Sequence, residues 1–224
     1  GTVADVVKLD RNNRVLVSQG LKRMRAGVIP AGVAALFNVA KRDAKIATTF
    51  DLGFTLGPRL NAAGRLSDMR LGIECLITDN EVTAQNLAKQ LDEINRERRE
   101  IEGDMRMQAM EYADSLFEDE ADAPPVICVF DPEFHEGVVG IVASRLTEKY
   151  YRPTVVLTKS NGHVAGSARS VVGYDLYEAL VECSDLLIQF GGHKYAAGLT
   201  IAPENLTLFA DKFEQVVSNS IDAA

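Results

Sequence analysis

The spacing of apolar residues predicts mainly helices in the first third of the chain. Residues 12–25 are expected to form one helix, and Pro30 suits the first turn of a second helix that runs to about Arg42. A glycine-containing irregular stretch is expected at residues 56–68, followed by a short helix near residues 72–78. This part of the chain therefore indicates a helical unit.

The clearest single element extends from residue 82 to about residue 118. Apolar residues recur there at three-, four- and seven-residue steps with charged residues between them, which predicts one long helix with a narrow apolar face. A long acidic helix of this kind is typical of a connector between two domains, and a coiled-coil dimer arm is the alternative. The apolar positions are Val82, Leu87, Leu91, Ile94, Ile101, Met105, Ala109, Tyr112 and Leu116.

The pattern after residue 122 alternates between strands and helices. Asn161-Gly162 predicts a two-residue hairpin turn, and Asp175 with Glu178 predicts the start of a helix that ends near Phe190. The other predicted elements are strands at 125–130, 153–158, 163–169 and 196–201 and helices at 137–150 and 204–219. They indicate a small α/β domain whose mixed sheet contains a parallel βαβ unit and an antiparallel hairpin.

The predicted fold class is therefore α/β, with boundaries at residues 1–80, 81–122 and 123–224. Charge follows these boundaries. The chain has a net charge of −8, but residues 1–80 carry 12 Lys and Arg against 7 Asp and Glu, while residues 81–122 carry 5 against 13. The acidic excess belongs mainly to the connector, so the overall charge does not exclude a nucleic-acid partner.

Cysteine usage and hydropathy limit the class of protein. Cys75, Cys128 and Cys183 are odd in number and far apart, which fits neither a disulfide framework nor a zinc site. They are interpreted as buried thiols of a cytoplasmic protein. No apolar run approaches the roughly 20 residues that a membrane span needs, so no membrane partner is expected.

Two glycine-rich patches of the last domain combine small residues with hydrogen-bond donors. In FHEGVVGIVASR (134–145), His135 precedes a predicted helix whose first turn contains Gly137 and Gly140, and a helix N-terminus suits an anion. In GSARS (166–170), a charged donor lies between two hydroxyls, which suits a phosphate or a base edge. Those donors are Ser167, Arg169 and Ser170. The alternatives are an ordinary strand-to-helix turn and an exposed strand edge.

Two further patches have the same character. GGHKYAAG (191–198) places His193 behind Gly191 and Gly192, either as a packed residue before a strand or as part of a bare backbone surface that a ligand approaches. LGPRLNAAGR (56–65) carries polar side chains on a predicted turn, either a surface loop or a phosphate clamp. Those side chains are Arg59, Asn61 and Arg65.

The four patches together predict a phosphodiester chain as the ligand class. The metal-binding cluster that phosphodiester cleavage usually needs is not evident, since the chain has only three scattered histidines and no DxD or HxxxH-like grouping. Asp5 is the one acidic residue in an unusual small-residue context, and a helix-cap or turn residue is its alternative.

Five motifs resemble, in order, the later motifs of the RecJ family. These are GTVADVV (1–7), LGPRLNAAGR, HEGVVGIVASRL (135–146), GSARS and GGHKYAAG. The family consists of single-strand-specific 5′→3′ DNA exonucleases of the DHH phosphoesterase superfamily, which act in DNA repair and recombination. The resemblance implies the end of a DHH catalytic domain at residues 1–80, a connector helix at 81–122 and a DHH-associated nucleic-acid-binding domain at 123–224.

The resemblance also implies roles for individual residues. Asp5 would be a metal ligand, and Arg65 with Asn61 would hold the scissile phosphate. The residues that would contact the nucleotides near the 5′ end, with the strand lying in the cleft between the two domains, are Arg59, His135, Gly137, Ser167, Arg169, Ser170, Gly191, Gly192 and His193. The family cofactor is Mn²⁺, with Mg²⁺ as the alternative.

The sequence departs from the family pattern because the DYDxDG-type and DHH motifs, which supply most metal ligands, are absent. The chain is therefore expected to be a fragment without nuclease activity and without a stably bound metal. The implied partners are single-stranded DNA with a 5′ end, and a single-strand-binding protein or helicase. Two other functions stay open: a phosphodiesterase for short oligonucleotides or cyclic dinucleotides, and a non-catalytic nucleic-acid-binding scaffold of a replication complex.

Overall fold

The computed structural model describes residues 2–4, 7–117 and 124–222, with side chains to residue 220. The chain folds into two compact units, Gly1–Arg99 and Glu100–Ala224. Each unit has its own apolar core, and the residues of the long helix are divided between the two units. Within the described ranges, no helix combines the length and apolar character needed to cross a membrane.

The first unit is helical, as the sequence predicts. Asp10 caps its first helix by accepting a hydrogen bond from the Asn13 backbone N–H at 2.8 Å. Its helices are α1 (Arg11–Arg25), α2 (Ala31–Val39), α3 (Gly57–Leu66), α4 (Arg70–Ile77) and the first half of α5 (Glu81–Leu116). Their shared core contains Leu36, Phe37, Leu56, Cys75 and Leu91 among its buried residues.

The irregular stretch expected at residues 56–68 is wrong, because this segment is helical. A π-helical turn, Asp51–Leu56, continues directly into α3. Close packing explains why glycine occupies this junction: a Cβ on Gly57 would lie 3.2 Å from both the Ala4 Cβ and the Leu52 carbonyl oxygen. Glycine here serves close packing within a helix, and the sequence pattern cannot distinguish that role from a turn.

Helix α5 confirms the predicted long helix but buries a different set of residues from the one expected. Val82 and Tyr112 of the predicted apolar stripe are exposed, whereas Asn95 and Glu102 are buried. The buried line consists of Ala84, Leu87, Ala88, Leu91, Asn95, Glu102, Met105, Ala109 and Ala113. Small residues and two polar residues are buried because other parts of the chain pack closely against them. Since this side of the helix is buried within one chain, the alternative of a coiled-coil dimer arm is disfavoured.

The second unit contains the predicted mixed sheet. Its strands are β1 (Ile127–Phe130), β2 (Thr154–Ser160), β3 (His163–Arg169), β4 (Leu187–His193) and β5 (Ala196–Ile201), in the spatial order β1-β2-β3-β5-β4. Strands β1 and β2 are parallel and are connected by α6 (Val139–Tyr150), while the other pairs are antiparallel. The α/β fold class with one βαβ unit and a hairpin at Asn161-Gly162 is therefore confirmed.

Helices cover the two faces of this sheet unequally. Helices α7 (Leu176–Glu182) and α8 (Leu206–Asp222) pack on one face, and the core there includes Leu157, Leu199 and Phe213. On the other face, α6 packs against β2 and β3. Gly191 and Gly198 of β4 and β5, on the same side as α6, are exposed. This half of the sheet surface is consequently available to a ligand.

The helix predicted from Asp175 to about Phe190 is wrong in its second half. Asp175 does cap α7 by accepting hydrogen bonds from the Tyr177 and Glu178 backbone N–H groups, but the helix ends at Glu182. Residues from Leu187 to His193 form β4, an edge strand paired with β5. A short apolar run suits either a helix or a strand, and pairing with β5 decides it here.

The three cysteines are free thiols with different degrees of burial. Cys75 and Cys183 are buried, as expected from the sequence. Cys128 was also expected to be buried, but it is half-buried. Removal from water raises the pKa of Cys183 to about 11 and that of Cys128 to about 12. These thiols therefore remain protonated and unreactive near neutral pH.

Candidate functional site

Strand register brings residues of two glycine-rich motifs side by side. Arg169 pairs with Ala196, which in turn pairs with His193, so these three residues form one row across β3, β5 and β4. Paired residues of antiparallel strands point to the same face, and strands lie about 4.8 Å apart. Arg169 and His193 therefore lie on one face of the sheet with their Cα atoms about 10 Å apart.

A second row on the same face consists almost entirely of backbone. Ser167 pairs with Gly198, and Gly198 pairs with Gly191. A Cβ on Gly191 would meet nothing within 4 Å, and one on Gly198 would meet only the Gly166 carbonyl oxygen at 3.9 Å. Glycine in a strand destabilises it by roughly 0.5–1 kcal/mol relative to alanine. The packing of this chain does not require either glycine.

The second row lines a groove of about 440 Å³ beside the start of α6, and the row of Arg169 and His193 follows two residues further along the strands. We call this groove the glycine groove. Its lining residues are Glu136, Val139, Ala165, Gly166, Ser167, Gln189, Phe190, Gly191, Gly198, Leu199 and Thr200. Its floor has no side chains at Gly191 and Gly198, and the Ser167 hydroxyl of β3 lines it. An extended polar chain could lie on this floor.

Gly140, in the first turn of α6, lies close to the side chains of Arg169 and Ser167. A Cβ on Gly140 would lie 3.0 Å from Arg169 Nη2 and 3.1 Å from Ser167 Oγ. The absence of a side chain thus allows the helix to approach β3 closely while both donors keep their positions. The sequence identified this glycine only as part of a helix start, since the contact becomes apparent only from the packing of α6 on β3.

Electrostatic features favour an anion at the corner formed by α6 and β3. The first turn of α6 has no acidic residue and no side-chain cap, and a helix N-terminus carries partial positive charge. Arg169 is half-buried, and its Nη1 donates to the Ala168 carbonyl oxygen at 2.8 Å. Glu136, which also lines the groove, accepts a hydrogen bond from the Ser160 hydroxyl at 2.6 Å.

The His193 ring is exposed and oriented by its own backbone. Its Nδ1 accepts a hydrogen bond from the Tyr195 backbone N–H at 3.3 Å. The neutral ring must therefore carry its proton on Nε2, which makes Nε2 a donor. A donor at this atom suits a phosphate or base oxygen.

Four other candidate residues of this unit lie outside the two rows. The Ser170 hydroxyl donates to the Tyr174 carbonyl oxygen at 3.0 Å, within the turn that follows β3. Gly192 points to the opposite side of the sheet, where a Cβ would lie 2.3 Å from the Ala196 carbonyl oxygen. His135 and Gly137 precede α6, and His135 Nδ1 accepts the Gly137 N–H at 3.1 Å. Each of these residues has a local structural role.

The exposed-edge alternative for GSARS does not hold. Strand β3 lies in the interior of the sheet between β2 and β5, and its backbone pairs on both sides. Ser167 and Arg169 are consequently presented on a rigid surface, with side chains directed to the α6 face.

The candidates of the first unit lie on helix α3, and the turn predicted for them is wrong. Asn61 and Arg65 are exposed and one helical turn apart, so they share a face of α3. Arg59 instead makes contacts within the unit. Its Nε forms an ion pair with Asp92 at 2.8 Å, and its Nη1 donates to the Thr55 carbonyl oxygen at 2.7 Å. The side chain of Arg59 is only 13% exposed.

A two-metal site does not fit the described residues. Across residues 2–4, 7–117 and 124–222, no group of three or more His, Cys, Asp or Glu side chains is placed to hold a metal ion. Asp5, the predicted metal ligand, lies outside the described residues. The part of the chain that the structure describes therefore offers no metal centre of that kind.

Comparison with known proteins identifies both the domain and the longer relatives. The DHHA1 domain model matches residues 123–219. The single-stranded-DNA-specific exonuclease RecJ of Dickeya dadantii is 44% identical over 229 residues, which covers all of this chain and 40% of that protein. This chain thus spans about two fifths of the length of that relative.

Solved structures agree with the sequence match. RecJ from Thermus thermophilus in complex with Mn²⁺ matches with a TM-score of 0.86 and 32% identity, covering 97% of this chain and 31% of that chain. The same protein in complex with Mg²⁺ matches with a TM-score of 0.85 over the same share of this chain and 33% of that chain. By sequence and fold, this chain is similar to about two fifths of the RecJ exonuclease, and its residues 123–219 match the DHHA1 domain.

Proposed function

We propose that this chain is the substrate-positioning part of a single-stranded-DNA-specific 5′→3′ exonuclease, which hydrolyses phosphodiester bonds in DNA repair and recombination in the cytoplasm. The observation that carries this proposal is the pair Gly191 and Gly198, adjacent across β4 and β5 and open to solvent. Strand glycines that the chain's own packing does not require are expected where another backbone approaches closely.

The donors around the glycine groove support a nucleic-acid backbone as that ligand. Arg169, Ser167 and His193 offer a guanidinium, a hydroxyl and an imidazole N–H on the same sheet face. Phosphate and sugar oxygens accept hydrogen bonds from these groups. Because the groove is shallow and the donors stand at its border, a single strand is the form of nucleic acid that fits.

The proposal assigns the hydrolysis to a metal centre that the described residues do not contain. Divalent ions, Mn²⁺ or Mg²⁺, would supply Lewis-acid activation of the phosphate and of water. Asp5 is proposed as one of their ligands, and Asn61 with Arg65 as the pair that holds the scissile phosphate. The remaining ligands would come from the part of the relatives' length that this chain does not match. A single-strand-binding protein or a helicase would deliver the strand.

The first test is the fluorescence anisotropy of a labelled, 5′-phosphorylated oligodeoxynucleotide titrated with this chain in EDTA. Binding is expected to prefer single-stranded over double-stranded DNA and to weaken as salt rises, because phosphate contacts release counterions. Absence of binding at low salt would contradict the proposal.

Arg169→Ala is expected to weaken single-strand binding by about 10- to 100-fold, because a charge-assisted hydrogen bond contributes about 1.5–3 kcal/mol. The slope of log K against log salt should also decrease by about 0.7, the value for one phosphate on a single strand. Lys159→Ala is the matched control, since Lys159 is exposed, pairs with Val164 at the opposite end of β2 and β3, and should leave both quantities unchanged. Equal affinity of the Arg169→Ala and native chains would remove Arg169 from the site.

The 224-residue chain is expected to show no exonuclease activity in Mn²⁺, because binding groups without a metal centre cannot activate water. Release of nucleotides from a 5′-labelled single strand measures this directly. Metal-dependent degradation that co-purifies with the chain, and is lost in Asn61→Ala, would contradict the assignment of hydrolysis to residues outside it.

A further inference from the structure

The turn between β4 and β5 carries an aromatic ring and a cation that the proposed function does not use. Strand β4 ends at His193 and β5 begins at Ala196, so the turn consists of Lys194 and Tyr195. The Tyr195 side chain belongs to the exposed large residues of the unit, at 41% exposure. We call this two-residue turn the Lys-Tyr tip.

Hydrogen bonds fix the backbone of the Lys-Tyr tip from three sides. The Tyr195 N–H donates to His193 Nδ1 at 3.3 Å, and the Tyr195 carbonyl oxygen accepts from the Ser170 N–H at 3.0 Å. The Lys194 carbonyl oxygen accepts from the Leu176 N–H at 3.1 Å. The tip is therefore tied to the end of β3 and to the start of α7. It presents its side chains from a rigid position.

The side chains of the tip lie beside the end of the glycine groove. The Tyr195 ring centroid is 6.3 Å from that of His193, with the two rings edge to face at 74°. The Lys194 ammonium lies over the Tyr195 ring, 4.8 Å from its centroid. An exposed ring with a cation beside it, next to a donor that faces a proposed nucleic-acid backbone, has the chemistry of a stacking platform for an unpaired base.

We propose that the Lys-Tyr tip extends the binding site beyond His193, with Tyr195 stacking on one unpaired base and Lys194 contacting the phosphate next to it. This inference rests on the proposed function. Stacking needs a base with an accessible face, which a single strand provides and a paired duplex does not. The tip would thus contribute to the preference for single strands at one nucleotide position.

The test compares Tyr195→Ala with Tyr195→Phe in the intact chain, using anisotropy with a short 5′-phosphorylated oligodeoxythymidylate in EDTA. Loss of the ring should weaken binding by about 5- to 10-fold, at the low end of what one stacked base contributes, whereas phenylalanine should bind like tyrosine. Tyr112→Ala is the matched control, because Tyr112 is also an exposed tyrosine but lies on α5.

A series of oligonucleotides with one abasic position identifies stacking specifically. Moving the abasic site along the strand should weaken binding to the native chain at one position, and that loss should vanish in Tyr195→Ala because the stacking partner is already gone. Lys194→Ala should lower the salt slope by about 0.7, while Lys159→Ala, an exposed lysine at the end of β2, should leave it unchanged.

The outcomes separate this inference from the proposed function. If Arg169→Ala weakens binding but Tyr195→Ala does not, the glycine groove stands and the tip is not a contact. If Tyr195→Ala weakens binding equally for intact and abasic strands at every position, the ring supports the turn and stacks on no base, which also overturns the inference. If the native chain does not bind single strands at all, both proposals fail.

Discussion

Valine at Gly192 is expected to destabilise the second unit strongly, whereas valine at the neighbouring Gly191 should weaken binding without loss of stability. At Gly192, φ is +154° and a Cβ would lie 2.3 Å from the Ala196 carbonyl oxygen and 2.6 Å from the Ala197 Cα. Backbone strain and overpacking each cost about 1–3 kcal/mol, so Gly192→Val should lower the free energy of unfolding by about 3–5 kcal/mol.

At Gly191 the same substitution meets no atom of the chain within 4 Å. Valine suits a strand better than glycine, so stability should rise by up to about 1 kcal/mol. Its side chain would fill the floor of the glycine groove, and affinity for single strands should fall about tenfold or more. Urea unfolding and oligonucleotide anisotropy on both variants measure the two effects separately.

This expectation separates two glycines that the sequence analysis groups together as contacts to the nucleotides. The two glycines are equivalent in the motif GGHKYAAG, but alternate residues of a strand face opposite sides of a sheet. A stable Gly192→Val chain that has lost binding, or a Gly191→Val chain with native affinity, would contradict the placement of the groove on the Gly191 face.

Gly140→Ala is expected to weaken single-strand binding about tenfold while leaving the fold intact. The new Cβ would lie 3.0 Å from Arg169 Nη2 and 3.1 Å from Ser167 Oγ, so both donors must shift. The guanidinium is the flexible end of a long side chain and can move at little cost in stability. The alanine itself favours the helix by about 1 kcal/mol. The free energy of unfolding should therefore change by no more than about 1 kcal/mol.

A double-mutant cycle distinguishes this positioning role from general damage. In an Arg169→Ala background, Gly140→Ala should have little further effect on affinity, because the group that it displaces is gone. Gly103→Ala is the matched control: this glycine is also in a helix of the second unit, and a Cβ there would meet nothing within 4 Å. That variant should gain stability and bind normally. Additive losses for Gly140→Ala and Arg169→Ala would show that Gly140 does not act through Arg169.

Much of the architecture is predictable from local patterns. Alternation and turn signals identify β1, β2, β3 and the hairpin at Asn161-Gly162, and the long period of apolar residues identifies α5. The capping signal at Asp175 correctly marks the start of α7. These features depend on residues close in sequence, so a single sequence contains the information.

Elements determined by distant packing are where sequence-based prediction failed. The run from Leu187 to Phe190 became an edge strand because β5 pairs with it, and the glycine-containing stretch around Gly57 became a helix because Ala4 and Leu52 pack against it closely. Similarly, the buried side of α5 includes Asn95 and Glu102 but excludes Val82. In each case the deciding contact lies outside the segment itself.

At the candidate site, the motifs specify the chemical groups, whereas the pairing of strands specifies which of these groups act together. The motifs GSARS and GGHKYAAG already contain the donors and the bare backbone that indicate a phosphodiester ligand. Strand register then places Arg169 in one row with His193, and Ser167 in one row with Gly191, on the same face of the sheet. Gly192 faces the opposite side. Register depends on backbone pairing between strands, and β3 and β5 are more than twenty residues apart in the chain. A shift of one residue would reverse every side chain, and the motifs taken separately do not specify the register.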